Sequence, residues 1–200
     1  MRASLPLLLL TTLLVAMPSS MLAKEGAEAA HHANVPVPAV DLARYTGLWY
    51  EIAHLPMHFQ RKCVGNTTAR YMTQQDGTIT VRNRCQTEDG SYQQVDGEAR
   101  RVGESTSQLE VRFAPGWLSW LPMVWGDYWI IALDKDYQWA VVGNKKADNL
   151  WILSRTPTMD EALRKQLLTR AQHMGYPVEK IELTSQDGTL AENAAKPGNN

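Results

Sequence analysis

The stretch Gly47-Leu48-Trp49-Tyr50-Glu51-Ile52-Ala53-His54-Leu55-Pro56 decides the fold. A glycine opens it, a proline closes it, and a large aromatic residue is followed by alternating side chains. Period-two alternation is the signature of a β-strand with one covered face. It puts Trp49, Glu51 and Ala53 on one side and Tyr50, Ile52 and His54 on the other. A carboxylate sharing the covered face with Trp49 predicts an interior that is not a solid hydrocarbon core.

The same period continues downstream. Strands are expected over 67–73, 78–85, 92–102, 108–113, 128–133, 138–143 and 150–155. Turn chemistry separates them: a glycine hairpin at 74–77, a second turn at 88–90, and Asp134-Lys135-Asp136-Tyr137 between the sixth and seventh strands. In the third strand Ile79, Val81 and Cys85 face one side, and Thr80, Arg82 and Arg84 the other. Gly97 inside the fourth suggests a bulge or bend. The pattern breaks at Pro115-Gly116-Trp117-Leu118-Ser119-Trp120-Leu121-Pro122-Met123-Val124-Trp125, where the prolines forbid a regular element. Thr158 reads as a helix N-cap with Glu161 completing a capping box. The helix runs to His173 or Met174, ends at Gly175, and carries Ala162, Leu163, Gln166, Leu167, Ala171 and Met174 on one stripe. A last strand covers 178–183. Eight consecutive strands joined by short links make antiparallel neighbours. An all-β, eight-stranded, antiparallel up-and-down barrel with a C-terminal α-helix and a short final strand follows, because closure removes the edges. A two-sheet sandwich is the alternative, but uniform hairpins give it no Greek-key signal.

The ends read differently. Met1-Arg2 and the apolar run from Leu5 to Met17 form a secretory signal peptide, 1–23, cleaved after Ala23 or Ala29. No cysteine follows that run, so no N-terminal thiol anchor is expected. Residues 24–40 form an extended leader, in which His31-His32 reads as solvated linker rather than metal site. Residues 41–185 are the barrel plus helix, and 186–200 are a polar tail expected to be disordered. Export gives the two cysteines meaning: Cys63 and Cys85 have no competitor and can pair in an oxidising compartment. With a net charge of -1 there is no basic excess, so no nucleic-acid partner is expected. Seven Trp and seven Tyr against two Phe favour surfaces where rings are half wet, such as a pocket mouth or membrane interface.

These residues resemble the lipocalin family. Gly47-Leu48-Trp49 resembles its first motif, Gly-x-Trp. Asp136-Tyr137 resembles the second, Thr-Asp-Tyr, with Lys135 in place of threonine. Arg155 resembles the third motif's arginine. Trp49-Tyr50-Glu51-Ile52 and Leu150-Trp151-Ile152-Leu153-Ser154-Arg155-Thr156-Pro157 resemble the bacterial subgroup in particular. The resemblance covers roughly 41–185. The departures are Lys135, the Trp-rich stretch and the absence of a lipoprotein cysteine. It implies that Trp49 plugs the closed end with Arg155 across it, and that Gly47, Asp136 and Tyr137 are structural.

The expected function is binding, and transport or storage, of a fatty acid, lysophospholipid or related lipid in the cell envelope, at the periplasm or the periphery of the outer membrane. Parity nominates Glu51, Ala53, Trp129, Trp151 and Leu153 as ligand-lining residues; for Trp129 an outer-surface position packed on the helix is the alternative. Trp117, Trp120 and Trp125 mark a mouth loop suited to a membrane surface, a lid or a homodimer contact. No catalytic residue, metal site or cofactor is expected: no nucleophile elbow, metal-ligand pair or phosphate loop occurs, and His54 and His58 straddle a strand end. A lipocalin-fold enzyme and a haem- or protein-binding module are the alternatives.

Overall fold

The computed structural model describes residues 33–187. The expected signal peptide, His31-His32 and residues 188–200 lie outside them. The elements are α1 (Leu42–Tyr45), β1 (Gly47–His54), β2 (Cys63–Thr73), β3 (Ile79–Thr87), β4 (Tyr92–Arg101), β5 (Gln108–Arg112), β6 (Gly126–Leu133), β7 (Trp139–Gly143), β8 (Leu150–Ser154), α2 (Glu161–His173) and β9 (Glu182–Leu183). Strands β2 to β8 pair in chain order, β8 pairs β1, and β1 returns to β2. All these pairings are antiparallel, so the eight strands close into an up-and-down barrel, with β9 added to β1.

Two apolar clusters follow from the alternation. One fills the barrel: Trp49, Tyr71, Val81, Leu109, Ile130, Val142 and Leu153 are members. The other lies between the barrel wall and α2 and includes Ile52, Val141, Ile152, Leu167 and Ala171. Helix α2 begins later than the sequence suggests. Its cap is Asp160, whose carboxylate accepts the Leu163 N–H at 2.9 Å. Thr158 is instead held in the preceding turn, its carbonyl accepting the Thr156 hydroxyl at 2.7 Å. The buried stripe is Leu167, Ala171 and Met174, while Ala162 and Gln166 are exposed. The expected strand at 178–183 is a 3-10 turn, Val178–Lys180, followed by only the two residues of β9.

Both flanking segments belong to the barrel. Val40 is 4% exposed within the interior cluster, and the Val37 N–H donates to the Ile130 carbonyl at 2.8 Å. So 33–40 is no free leader. At the other end β1 and β2 pair only from Gly47↔Tyr71 to Tyr50↔Thr68 and then separate. The C-terminal segment fills that gap. The Thr184 N–H donates to the Ile52 carbonyl at 3.0 Å, and the Asn66 N–H to the Ser185 carbonyl at 2.7 Å. The Gln186 amide reaches both walls, donating to the Glu51 and Thr67 carbonyls at 2.8 Å each. Gln186 and Asp187 therefore stitch the seam, where composition alone suggested the start of a disordered tail.

Cys63 and Cys85 form a disulfide, with Cα atoms 5.5 Å apart. The β2–β3 hairpin sets Thr73 against Ile79, because Thr78 is tied to the turn by the Asp76 carboxylate. Two register shifts then carry Cys63 opposite Thr87, within strand β2 rather than in a loop. The bridge pins a half of β2 that lacks its β1 neighbour. Reduction should lower stability by about 3 kcal/mol on the chain-entropy model. Denaturant midpoints with and without reductant measure this, and coinciding midpoints would show the bridge to be idle.

Candidate functional site

One end of the barrel is shut by an aromatic plug. Gly47 adopts a φ of +97°, and a Cβ there would come within 3.3 Å of the Arg155 guanidinium. Glycine thus lets the chain turn into β1 directly under Arg155. Trp49 is fully buried, donates Nε1–H to the Tyr45 carbonyl at 2.8 Å, and lies 3.8 Å beneath the Arg155 guanidinium. That fork donates to the carbonyls of Leu48, Arg44, Tyr45 and Tyr137 at 2.8–3.2 Å. Tyr137, at φ +60°, accepts the Asp41 N–H on its hydroxyl and carries Arg44 over its ring. Asp136 does not fix this turn. Its exposed carboxylate pairs with Lys135, whereas Asp134 accepts the Asp136 and Gln138 N–H groups at 3.2 and 3.1 Å. Above the plug, Tyr45 and Tyr71 both hydrogen-bond the Tyr128 hydroxyl, at 2.8 and 2.7 Å. Burial holds all three phenols well above the usual tyrosine range.

The open half holds a buried carboxylate. Glu51 pairs with Leu153 across β1–β8 and shares its inner face. It is 4% exposed. Its carboxylate accepts the Gln60 amide at 2.7 Å and the Thr184 hydroxyl at 2.6 Å. Gln60 in turn accepts the Trp151 indole N–H at 3.3 Å. Gln60 belongs to a 3-10 turn, His58–Gln60, in the loop after β1 that crosses this end. Of the nominated lining residues, Glu51, Trp151 and Leu153 thus face inward. Ala53 does not. A register shift between Glu51 and Ala53 sets Ala53 against Ile152, in the cluster beneath α2, and turns His54 inward with Trp151. Trp129 is also outside, packed on that cluster, because its neighbours Tyr128 and Ile130 take the inner positions.

His54 Nε2 stands 3.7 Å from Glu51 and 3.9 Å from Glu182, and Nδ1 donates to the Leu55 carbonyl. Burial pushes the Glu51 carboxyl up, and His54, Thr184 and Gln60 oppose it. A carboxyl raised on folding adds stability that is complete below its unfolded pKa and fades as pH climbs through the folded value. Glu51→Gln removes that titration. The stability of the variant relative to wild type should therefore rise as pH climbs out of the ordinary carboxyl range. A difference that stays constant as pH rises would mean Glu51 folds with an ordinary carboxyl.

The loop between β5 and β6 lies at this same end, since alternate links of an up-and-down barrel share an end. Trp117, Trp120 and Met123 are 75%, 74% and 85% exposed. Trp125 is not part of the tip. Its ring lies 3.9 Å from Arg100 and 5.1 Å from Arg112, and its Nε1–H donates to the Ser119 carbonyl. It anchors the loop to the outer wall.

This geometry has known counterparts. The model of the Lipocalin-like domain matches residues 40–186. The chain belongs to the lipocalin family. Temperature-induced lipocalin-1 of Arabidopsis thaliana is 38% identical over 80% of this chain and 87% of its own. Outer membrane lipoprotein Blc of Escherichia coli is 36% identical over 74% and 81%, and mouse apolipoprotein D 31% over 78% and 84%. Insecticyanin from the tobacco hornworm superposes with a TM-score of 0.61 at 18% identity, over 77% of this chain and 85% of that one. It shares the fold. Lipocalins bind small hydrophobic ligands, and Trp151, Leu153 and Glu51 face the barrel interior. Sequence reasoning missed Gln60, Thr184 and the inward turn of His54. The β1 bulge and the return of the C-terminal segment to the β1–β2 gap leave no periodic trace. Among the described residues no group of three or more His, Cys, Asp or Glu could hold a metal, and no helix is long and apolar enough to cross a membrane.

Proposed function

We propose that this lipocalin carries a single-chain lipid inside its barrel within the cell envelope, and exchanges it at a membrane surface. The observation that carries this reading is the open end, where a water-exposed apolar tip shares one end of the barrel with the inward-facing Glu51 and Trp151. Phe59, on the β1–β2 loop, is 65% exposed and joins Trp117, Trp120 and Met123 at that end. Exposed Arg61, Lys62, Lys145 and Lys146 lie on loops of the same end, against Glu88, Asp89 and Asp148. Aromatic tips flanked by cations suit an anionic lipid surface. The named envelope lipoprotein among the relatives and the apolar N-terminal run both support an envelope location. Burying acyl methylenes at about 0.8 kcal/mol each supplies the affinity: ten give about 8 kcal/mol, about micromolar before ordering costs are subtracted.

Vesicle co-sedimentation tests the surface contact. Wild type should bind anionic vesicles and the Trp117→Ser/Trp120→Ser variant should bind several-fold less. Equal sedimentation and equal rates of lipid loading would reduce the loop to a lid. A concentration-dependent dimer lost in the variant would instead assign the tip to a second copy.

A further inference from the structure

We infer that Glu51 and Trp151 select lipids with an uncharged, hydrogen-bond-donating head, a hydroxyl or an amide, against free carboxylates, and that Gln60 occupies the head-group position when no lipid is bound. The inference rests on the lipid-carrier reading and adds the class of ligand.

The Gln60 amide does two things at once. Its N–H donates to the Glu51 carboxylate at 2.7 Å, and its oxygen accepts the Trp151 indole N–H at 3.3 Å. The pair is complementary: a buried carboxylate asks for a donor, and an indole N–H asks for an acceptor. A ligand that displaces the loop must satisfy both, or leave buried groups unpaired at the full desolvation cost. A hydroxyl supplies one donor and two lone pairs, and an amide supplies both as Gln60 does. A carboxylate supplies acceptors only, and adds a second negative charge beside Glu51. No Lys or Arg is paired with Glu51 among the described residues to offset that charge, and its ionisable neighbour is His54. A second group makes the same demand. Asn83 stands opposite Ala69, itself opposite Trp49, which sets it on the inner face, and its buried Oδ1 has no partner among the described residues. That oxygen too can take only a donor.

The test uses the delipidated full chain and a matched pair, monopalmitoylglycerol and palmitate, each displacing the neutral dye N-phenyl-1-naphthylamine at neutral pH. Wild type should prefer the glyceride by roughly tenfold or more, as sites built to hydrogen-bond a hydroxyl do. Glu51→Gln should close most of that gap by gaining affinity for palmitate. Gln60→Ala should bind the glyceride several-fold tighter than wild type, since no internal amide competes, with no gain for palmitate. Gln60→Ala keeps the inference open to test should Glu51→Gln fold poorly. Equal affinities in wild type, or a preference unchanged in Glu51→Gln, would overturn the head-group assignment while leaving the carrier reading intact. Failure of both lipids to displace the dye from any of the proteins would overturn the carrier reading itself, and this inference with it.

Discussion

Replacing Trp49 by alanine should cost about 3–5 kcal/mol, the range for buried tryptophans. In a domain of this size that lowers Tm by roughly 10 °C. The side chain is fully buried, its ring centroid lies 5.0 Å from that of Tyr45, and it fills the space beneath Arg155. Truncation opens a cavity at the shut end, removes an indole hydrogen bond from the Tyr45 carbonyl and leaves the guanidinium with no ring to cover. Thermal unfolding followed by circular dichroism gives the number. A loss under about 1 kcal/mol would mean the end is closed by something other than Trp49.

Arg155→Ala should follow closely, at about 3 kcal/mol. The guanidinium is the common donor to four carbonyls from α1, β1 and the β6–β7 turn. Hydrogen bonds to charged groups are worth about 1.5–3 kcal/mol each when buried, less where water can replace them. The stacking over Trp49 adds about 0.5–2 kcal/mol. Arg155→Lys keeps the charge but not the planar fork, and should recover less than half of the loss. Denaturant midpoints of the three proteins decide it. Full rescue by lysine would reduce the role of Arg155 to simple charge.

The two substitutions share the carbonyl of Tyr45, so their effects should not add: the double variant should lose less than the sum.

Much of this was legible in the sequence, for a physical reason. Strand period and hairpin turns are local properties, and the barrel follows from them; the roles of Trp49 and Arg155 came from the resemblance to lipocalins. What was not legible depends on departures from the period. One extra residue in β1 moved Ala53 to the wall under α2 and brought His54 beside Glu51. A rule of alternation cannot anticipate where it fails. Trp129 is the reverse case, because the strand there is apolar on both faces and parity needed a fixed point that Tyr128 supplies only through its bond to Tyr71. Gln60 and Gln186 carry polar side chains in segments of ordinary loop composition. The partners Trp151 of Gln60, and Glu51 and Thr67 of Gln186, are distant in sequence. The mutual position of Cys63 and Cys85 was set by two bulges, again invisible in composition, although the pairing itself followed from their number.

The central claim is that an acyl chain lies within the barrel and not against its outside. Photolabelling of the full chain with a monoacyl lipid carrying a diazirine on its tail, followed by mass-spectrometric mapping, tests it directly. Labels should fall on inward residues such as Trp151, Val142, Val111 and Leu109, and an excess of unlabelled monoacyl lipid should remove them. Labels confined to α2 and the outer wall, at Leu163, Leu168 or Trp129, would contradict the account.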